Sequence, residues 1–321
     1  MTLSEMPEKV LANVMEHLDF LSIVNLRKTC HSLKNYIDDA KPDYGITLIS
    51  ININSNTFDN QIWLNFKDGK QLHVQYQKQG NGCKILQNRQ EKSIENENYA
   101  VIFFKNLKTI LEHQKTILPQ LTIATYMVPD GLKETLKSLE SPIKVKKLQM
   151  NTTHQSQVLE IFPFVDLEEF EELEVYEIRQ SLVLELWKID KLVKSEYWKK
   201  ASKFASLQFY MDVPMEHFKH FDSSYFIIDK VSGNDLNLLK TTFLLSPTFK
   251  YCHFGFNHFY DKEKLVDYFG NPYVTEELNK RDQQKWFFKF PDNTVLSILV
   301  CGMIYFTKID REEVPQGAIV L

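Results

Sequence analysis

The chain has 321 residues, of which 43% are hydrophobic and 25% charged, and its formal net charge is −4 at pH 7. This is the composition of an ordinary globular protein, long enough for two or three folding units. The weakly acidic balance argues against direct nucleic-acid binding and against binding to an anionic membrane. The 10 glycines and 11 prolines are too few for long disordered linkers.

The cysteines and the N-terminus indicate a reducing compartment. Cys30, Cys83, Cys252 and Cys301 are far apart and form no CxxC pair, which is typical of reduced thiols. The first residues lack the basic and apolar regions of a signal peptide, and the most apolar run, 295–306, is too short to span a bilayer. We expect an intracellular protein of the cytoplasm, the nucleus or both.

The first forty residues carry three helical patterns separated by short breaks. Ser4 and Asp19 are suitable caps for the first two helices, and the third pattern runs from His31 to Ile37. The apolar residues of the first helix form a stripe two residues wide, broader than one packing seam needs: Val10, Leu11, Val14, Met15 and Leu18. Because forty residues rarely form a self-sufficient core, this module should bury one face on a partner or on the neighbouring domain.

An ordered string of residues in this segment resembles the F-box. The string consists of Met6-Pro7, Val10-Leu11, Val14-Met15, Leu18, Leu21, Leu26-Arg27-Lys28, Cys30-His31, Leu33 and Ile37. The family usually has Leu where this chain has Met6, and often Arg where it has His31. The resemblance implies that the apolar residues of the three helices bind a Skp-type adaptor and, through it, a cullin.

The candidate adaptor-binding residues are Met6, Pro7, Val10, Leu11, Val14, Leu18, Leu21 and Leu26. For each of them the alternative is internal packing within the module.

From Gly45 onward the apolar residues alternate with period two, which predicts strands. The run containing Ile46, Leu48, Ile51 and Ile53 is followed by a second alternating run up to Phe66. Asp68-Gly69 then predicts a hairpin turn. The polar stretch 78–98 predicts a loop around a short strand at residues 83–86.

Short segments with apolar residues two apart then recur along the chain: Leu121–Ile123, Leu148–Met150, Leu173–Val175, Leu207–Phe209, Phe226–Ile228 and Cys252–Phe254. The steps between them are 27, 25, 34, 19 and 26 residues, which is the range of leucine-rich-repeat units.

Most of the intervals carry a helical pattern, around Leu132–Leu139, Val158–Phe162, Leu182–Val193 and Asp235–Leu245. Strands and helices that alternate at this spacing predict parallel strands in an irregular leucine-rich-repeat-like array. The alternative is a non-repeating α/β domain. At the end of the chain, residues 285–290 and 295–306 flank a Pro-Asp-Asn turn and predict a closing hairpin.

The segment from about Leu107 to Asn257 resembles the FTH domain, which follows the F-box in a large nematode family. The stretches that carry the resemblance are Ile117–Ile123, Val158–Glu174, Tyr197–Ala201, His217–Phe221, Ser232–Leu236 and Phe243–Cys252. In that family the second domain is taken to recruit a target protein, which differs between members.

Signals for catalysis or metal binding are weak. His217, His220, Cys252, His253 and His258 are not spaced as the close ligand pairs of a zinc site. Glycine-rich phosphate loops and nucleophile turns are absent from the sequence. The acidic run 166–177, with seven carboxylates, is expected to form a solvated rim. We therefore expect no catalytic residues, metal or cofactor.

The sequence thus predicts an α+β or α/β protein with an F-box at residues 1–43 and a hairpin-rich connecting region at 44–106. An FTH-like repeat domain at 107–260 and a C-terminal helix with a capping hairpin at 261–321 follow. The expected function is that of a non-catalytic adaptor that recruits an unknown target protein to a Skp–cullin ubiquitin ligase. The alternative is a regulatory interaction scaffold that uses the same two modules without promoting degradation.

Overall fold

The computed structural model describes residues 3, 6–54, 57–88, 90–178, 185–275, 278 and 283–321. Its contacts divide the chain into two compact units, each of which combines helices with a sheet. The first unit comprises residues 1–151 and 160–170, and the second comprises residues 152–159 and 171–321. The architecture is therefore mixed α+β. None of the described helices is long and apolar enough to cross a membrane.

The first unit begins with three helices and continues into a mixed sheet. Its helices are α1 (Glu8–Glu16), α2 (Phe20–Arg27), α3 (His31–Ala40), α4 (Tyr99–Glu112) and α5 (Asp130–Lys137), and α6 (Gln155–Ile161) contributes to both units. Its strands are β1 (Ile46–Asn54), β2 (Asp59–Phe66), β3 (Gln71–Gln79), β4 (Gly82–Gln87), β5 (Gln90–Ile94), β6 (Leu118–Thr125) and β7 (Val145–Thr152).

The strand order of this sheet is β7-β6-β1-β2-β3-β4-β5. The pairs β1–β6 and β6–β7 are parallel, whereas the pairs from β1 to β5 are antiparallel. One face of the sheet is buried against α4, where the rings of Tyr76 and Phe103 lie 5.5 Å apart. The opposite face carries mainly polar, half-buried side chains.

The second unit contains α7 (Glu196–Lys200), α8 (Gly233–Leu245) and α9 (Leu265–Phe269). Its strands are β8 (Glu172–Glu177), β9 (Glu185–Trp187), β10 (Lys203–Met211), β11 (Ser223–Ser232), β12 (Tyr251–Tyr260), β13 (Gln284–Lys289), β14 (Val295–Val300) and β15 (Ile304–Ile309). The order is β13-β14-β15-β12-β11-β10-β8, and β9 also pairs with β10. The strands β8, β10, β11 and β12 run parallel.

All six short segments that recur in the sequence lie in strands, namely β6, β7, β8, β10, β11 and β12. The helical patterns at 132–139, 158–162 and 235–245 correspond to α5, α6 and α8. The pattern at 182–193 does not form the expected helix: residues 185–187 are β9, and a short 3₁₀ turn spans Leu192–Lys194. Residues 182–184 lie outside the described part of the chain.

Strand β1 departs from simple alternation. A register shift between Ile46 and Leu48 in its pairing with β2 indicates a bulge. The bulge turns Ile49 rather than Leu48 into the core, and Ile51 and Ile53 then continue the buried face.

Two further expectations are wrong in detail. The polar stretch 78–98 is largely the hairpin β4–β5 rather than a loop, because strands at the edge of a sheet need few apolar residues. The run 295–306 contains two strands, β14 and β15, separated by a turn at Cys301–Met303, so the C-terminal element is a three-stranded meander.

Candidate protein-docking site

The three N-terminal helices are held together by caps and side-chain bonds. Asp19 caps α2 by accepting a hydrogen bond of 2.7 Å from the backbone N–H of Ser22. Arg27 donates to both carboxylate oxygens of Asp38, at 2.5 and 3.0 Å, and so ties α2 to α3. This hydrogen-bonded ion pair holds the pKa of Asp38 below its usual range. Ser4, the expected cap of α1, lies outside the described residues, and Pro7 occupies the N-cap position.

The apolar stripe of α1 is divided between the interior and the surface. Leu11 and Met15 form its buried half, with 5% and 2% of their surface exposed. Val10 forms its exposed half and is 44% exposed, and Pro7, the N-cap residue just before α1, is exposed on the same side. Val14 lies between the buried and the exposed half and is itself half-buried. The apolar stripe is two residues wide because it combines a buried face of α1 with an exposed one.

The remaining candidates lie around this exposed half or on α2. Met6, Leu18 and Leu26 are half-buried, whereas Leu21 is 39% exposed. The module core also contains Ile23, Leu33 and Ile37. Of the eight candidates, Leu11 is the one that packs mainly inside the module; the other seven retain surface that a partner can reach.

An aromatic cluster joins the three-helix module to the rest of the first unit. Phe20, the first residue of α2, lies 4.9 Å from the ring of Tyr44 and 5.0 Å from that of Phe66. Tyr44 in turn stacks on His113 at 4.1 Å, and burial raises the pKa of Tyr44 to about 12. This cluster was not expected from the sequence, because its members are dispersed over almost a hundred residues.

Polar contacts reinforce the same junction. The ammonium group of Lys70, in the β2–β3 turn, lies 2.5 Å from Asp19 and 3.0 Å from Asp68. Lys115 donates to the carbonyl of Ala40 at 2.5 Å. The imidazole of His113 bonds the carbonyl of Pro42 at 3.0 Å. A cleft of about 660 Å³ beside this junction is bordered by Leu18 and Leu21.

Three of the five residues considered for zinc binding have other contacts or surroundings, as follows. His217 accepts a hydrogen bond from the Trp198 indole through its backbone carbonyl, at 3.0 Å. The ring of His220 bonds the backbone carbonyl of Trp198 at 2.8 Å. Cys252 is fully buried, which raises its pKa to about 12. Among the described residues, no group of three His, Cys, Asp or Glu side chains is arranged to hold a metal ion.

Six of the seven carboxylates in the acidic run 166–177 are exposed or half-buried. Glu177 is only 4% exposed, because it lies on the inward-facing side of β8. Its backbone N–H donates to the side chain of Gln208 at 2.7 Å. The expected solvated rim therefore does not extend to Glu177.

Comparisons with known proteins match two parts of the chain. A family model described as F-box domain matches residues 3–44, and one described as FTH domain matches residues 128–272. Over 262 residues the chain is 23% identical to F-box A protein 224 of Caenorhabditis elegans. The aligned region covers 78% of this chain and 65% of that relative. No solved structure matches the chain.

Proposed function

Because this chain is an F-box protein of the nematode kind that also carries an FTH domain, we propose that it is a target-recruiting adaptor of a Skp–cullin ubiquitin ligase. The F-box binds a Skp-type adaptor, and the FTH domain binds a target protein. In this proposal both matched domains serve protein interaction, and the ubiquitin transfer itself belongs to other subunits. The protein acts in the cytoplasm, the nucleus or both, where such ligases work.

The exposed half of the α1 stripe is the observation that carries the proposal. Val10 and Val14 of α1, with Pro7 just before the helix, recur at helical spacing on one side and leave apolar surface accessible. Leu21 on α2 and the half-buried Met6, Leu18 and Leu26 complete the proposed adaptor-binding set. In such interfaces a few well-packed apolar side chains account for most of the binding energy.

We assign adaptor docking to residues 1–43 and target recognition to residues 107–260. Residues 44–106 connect the two, although α4 spans the boundary at residue 106, and residues 261–321 cap the chain. We also propose that the strand–helix alternation is an irregular leucine-rich-repeat-like array. The parallel pairing of β6 with β7, and of β8, β10, β11 and β12, supports this proposal.

The first test places a charge on the exposed stripe. The double variant Val10→Asp/Leu21→Asp should bind the purified Skp-type adaptor at least about thirtyfold more weakly, since removing an interface anchor costs about 2 kcal/mol or more. The matched control is Ser32→Asp/Asn35→Asp, which introduces the same two charges at exposed positions of α3, a helix that carries none of the eight candidates. Leu11 is unsuitable for this test, because a charge at that buried position would unfold the module. Unchanged affinity of the folded double variant would refute the assignment.

A second measurement separates the adaptor from a scaffold that does not promote degradation. If the bound target is ubiquitinated, proteasome inhibition should lengthen the target's half-life when the intact chain is present, but not when Val10→Asp/Leu21→Asp replaces it. A half-life that depends on neither the inhibitor nor the variant would favour the scaffold.

A further inference from the structure

The open face of the sheet in the first unit carries a cavity of about 520 Å³, within the range of roughly 300–1,000 Å³ that is typical of small-molecule sites. Two rows of side chains on β1, β2 and β3 border it, on the face opposite the buried core residues of these strands. One row consists of Ser50, Trp63 and His73, which pair across the strands, and the other consists of Leu48, Asn65 and Gln71.

Trp63 and His73 form a stacked pair at the cavity. Their rings are nearly parallel, at an angle of 7°, and the ring centroids lie 4.2 Å apart. Nε2 of His73 also bonds the side-chain oxygen of Gln61 at 3.2 Å, which fixes the imidazole against the indole. Among the described residues no other aromatic ring stacks on Trp63, although Trp63 lines the cavity. Its indole therefore offers an apolar platform to a flat ring from outside.

The cavity also presents hydrogen-bonding groups that the protein itself does not use. Within the part of the chain that the structure describes, the indole N–H of Trp63 and the side-chain amides of Asn65 and Gln71 have no hydrogen-bond partner. Each amide offers two donors and an acceptor oxygen. On the neighbouring strands of the same face the amides bond one another instead, as Gln120 does with Gln149 at 3.1 Å. The polar groups at the cavity are thus left for a ligand.

None of the described residues that border the cavity is charged at pH 7. They are leucines, a serine, amides and the Trp63–His73 pair. Burial lowers the pKa of His73, so its ring is neutral at this pH. Lys70, beside the cavity residue Gln71, is held by Asp19 and Asp68 at 2.5 and 3.0 Å. The cavity therefore fits an uncharged ligand, since a phosphate or a carboxylate would need a cation there.

We propose that this cavity binds a neutral pyranose with equatorial hydroxyl groups, as one ring of a glycan. Such a ring combines an apolar C–H face, which packs on an indole, with a rim of hydroxyls that both donate and accept hydrogen bonds. Trp63 matches the C–H face, and the amides of Asn65 and Gln71 match the rim. The site lies within residues 44–106, to which the proposed function gives only a connecting role, and it does not depend on adaptor binding.

Saturation-transfer-difference NMR on the full chain tests the proposal. The probes are cellobiose, adenosine monophosphate and the neutral peptide acetyl-Gly-Ser-Asn-Gly-Ser-amide. Cellobiose, whose glucose rings carry their hydroxyls equatorially, should bind saturably in the low millimolar range, with the strongest saturation at its ring C–H protons. The nucleotide and the peptide stand for an RNA and a protein partner. Each should receive less than about a fifth of that saturation, because the cavity has no cation for a phosphate and the peptide has no flat ring for the indole.

Matched variants locate the binding. Gln71→Ala should weaken cellobiose binding at least about threefold, the usual effect of removing one hydrogen bond. The control is Gln77→Ala, because Gln77 lies on the same face of β3 but does not border the cavity, and it should leave the affinity unchanged. Trp63→Leu removes the aromatic platform but keeps an apolar side chain, and it should weaken binding about tenfold. Should Trp63→Leu not fold, the Gln71 and Gln77 pair decides the outcome.

No saturation of cellobiose, or equal saturation of the three probes, would overturn the proposal. Equal affinities of the folded Gln71→Ala and Gln77→Ala variants would do the same. Stronger saturation of the nucleotide or of the peptide would assign the cavity to a nucleic acid or a protein and reject the glycan. The adaptor-binding variant Val10→Asp/Leu21→Asp should bind cellobiose as the unchanged chain does, so that failure of the proposed function and failure of the glycan site are seen separately.

Discussion

At the scale of single residues, Val10 and Leu11 show how neighbours on one apolar stripe acquire different roles. Both lie on the apolar side of α1, yet Val10 is 44% exposed and Leu11 is 5% exposed. Adjacent helical residues point about 100° apart, so a stripe two residues wide extends beyond one packing seam. The three-helix packing buries one half and leaves the other exposed to solvent.

Truncation of Leu11 should therefore reduce the stability of the fold, whereas truncation of Val10 should reduce adaptor binding. Leu11→Ala should lower the free energy of unfolding by about 2–5 kcal/mol, the usual cost of emptying a buried leucine site. Val10→Ala should change it by less than about 0.5 kcal/mol, as is typical of surface positions, but should weaken adaptor binding. Urea unfolding and an adaptor-binding titration on both variants would measure this, and similar destabilisation by the two substitutions would contradict the assigned packing.

At the scale of elements, the start of α8 shows a close backbone contact that explains its glycine. Ser232 caps the helix: its hydroxyl accepts from the N–H of Asp235 at 3.2 Å, and the Asp235 carboxylate accepts from the N–H of Ser232 at 2.8 Å. Gly233 follows at the first helical position. A Cβ there would lie 2.9 Å from the carbonyl oxygen of Asp261.

Gly233→Ala should consequently destabilise the protein, although alanine normally favours a helix by up to about 1 kcal/mol over glycine. Overpacking against a backbone atom costs about 1–3 kcal/mol, so we expect a net loss of about 1–2 kcal/mol in the free energy of unfolding. Gly302→Ala is the control, because no atom lies within 4 Å of the added Cβ. Equal unfolding midpoints for the two variants would show that α8 adjusts without cost.

At the scale of the whole molecule, partly buried histidines in both units give stability a common pH dependence. Burial lowers the pKa of His73 and His113 in the first unit, and of His253 in the second. A histidine with a lowered pKa binds fewer protons in the folded state than in the unfolded chain. Stability is therefore fully present above the unfolded value of about 6.5 and declines as the pH falls below it.

Urea unfolding between pH 7.5 and 5.0 should show this decline, in a range above the titration of ordinary carboxylates. His113 contributes through its position at the F-box junction, where it is 2% exposed and bonds the carbonyl of Pro42. His113→Asn should lower the stability at pH 7.5 but flatten the dependence on pH, since asparagine does not titrate. The control Gln114→Asn changes the next residue along the chain, which does not titrate before or after the substitution, and its pH profile should keep the slope of the unchanged chain. A His113→Asn profile as steep as the original would exclude His113 as a source of the dependence.

The sequence by itself determined the local elements and the two families. Helix caps and apolar periods within about ten residues located α1–α3, α5, α6, α8 and the six recurring strands, because these signals depend on neighbouring residues alone. The F-box and FTH resemblances are confirmed by the family matches at residues 3–44 and 128–272. Local signals predicted the wrong element where contacts with distant residues determine the structure. This is the case at the edge hairpin β4–β5, at the turn that divides residues 295–306, and at residues 182–193.

Only the tertiary structure decided which of those residues meet. The exposed half of the α1 stripe depends on how α2 and α3 pack against it, and the Phe20–Tyr44–His113 cluster joins residues far apart in the chain. The row of Ser50, Trp63 and His73, which continues to Thr122 of β6, likewise arises from the register of four strands. A shift of one residue in such a register reverses which side chains face solvent. Short-range periodicity does not determine the register between distant strands. The candidate surfaces could therefore be located only in the folded protein.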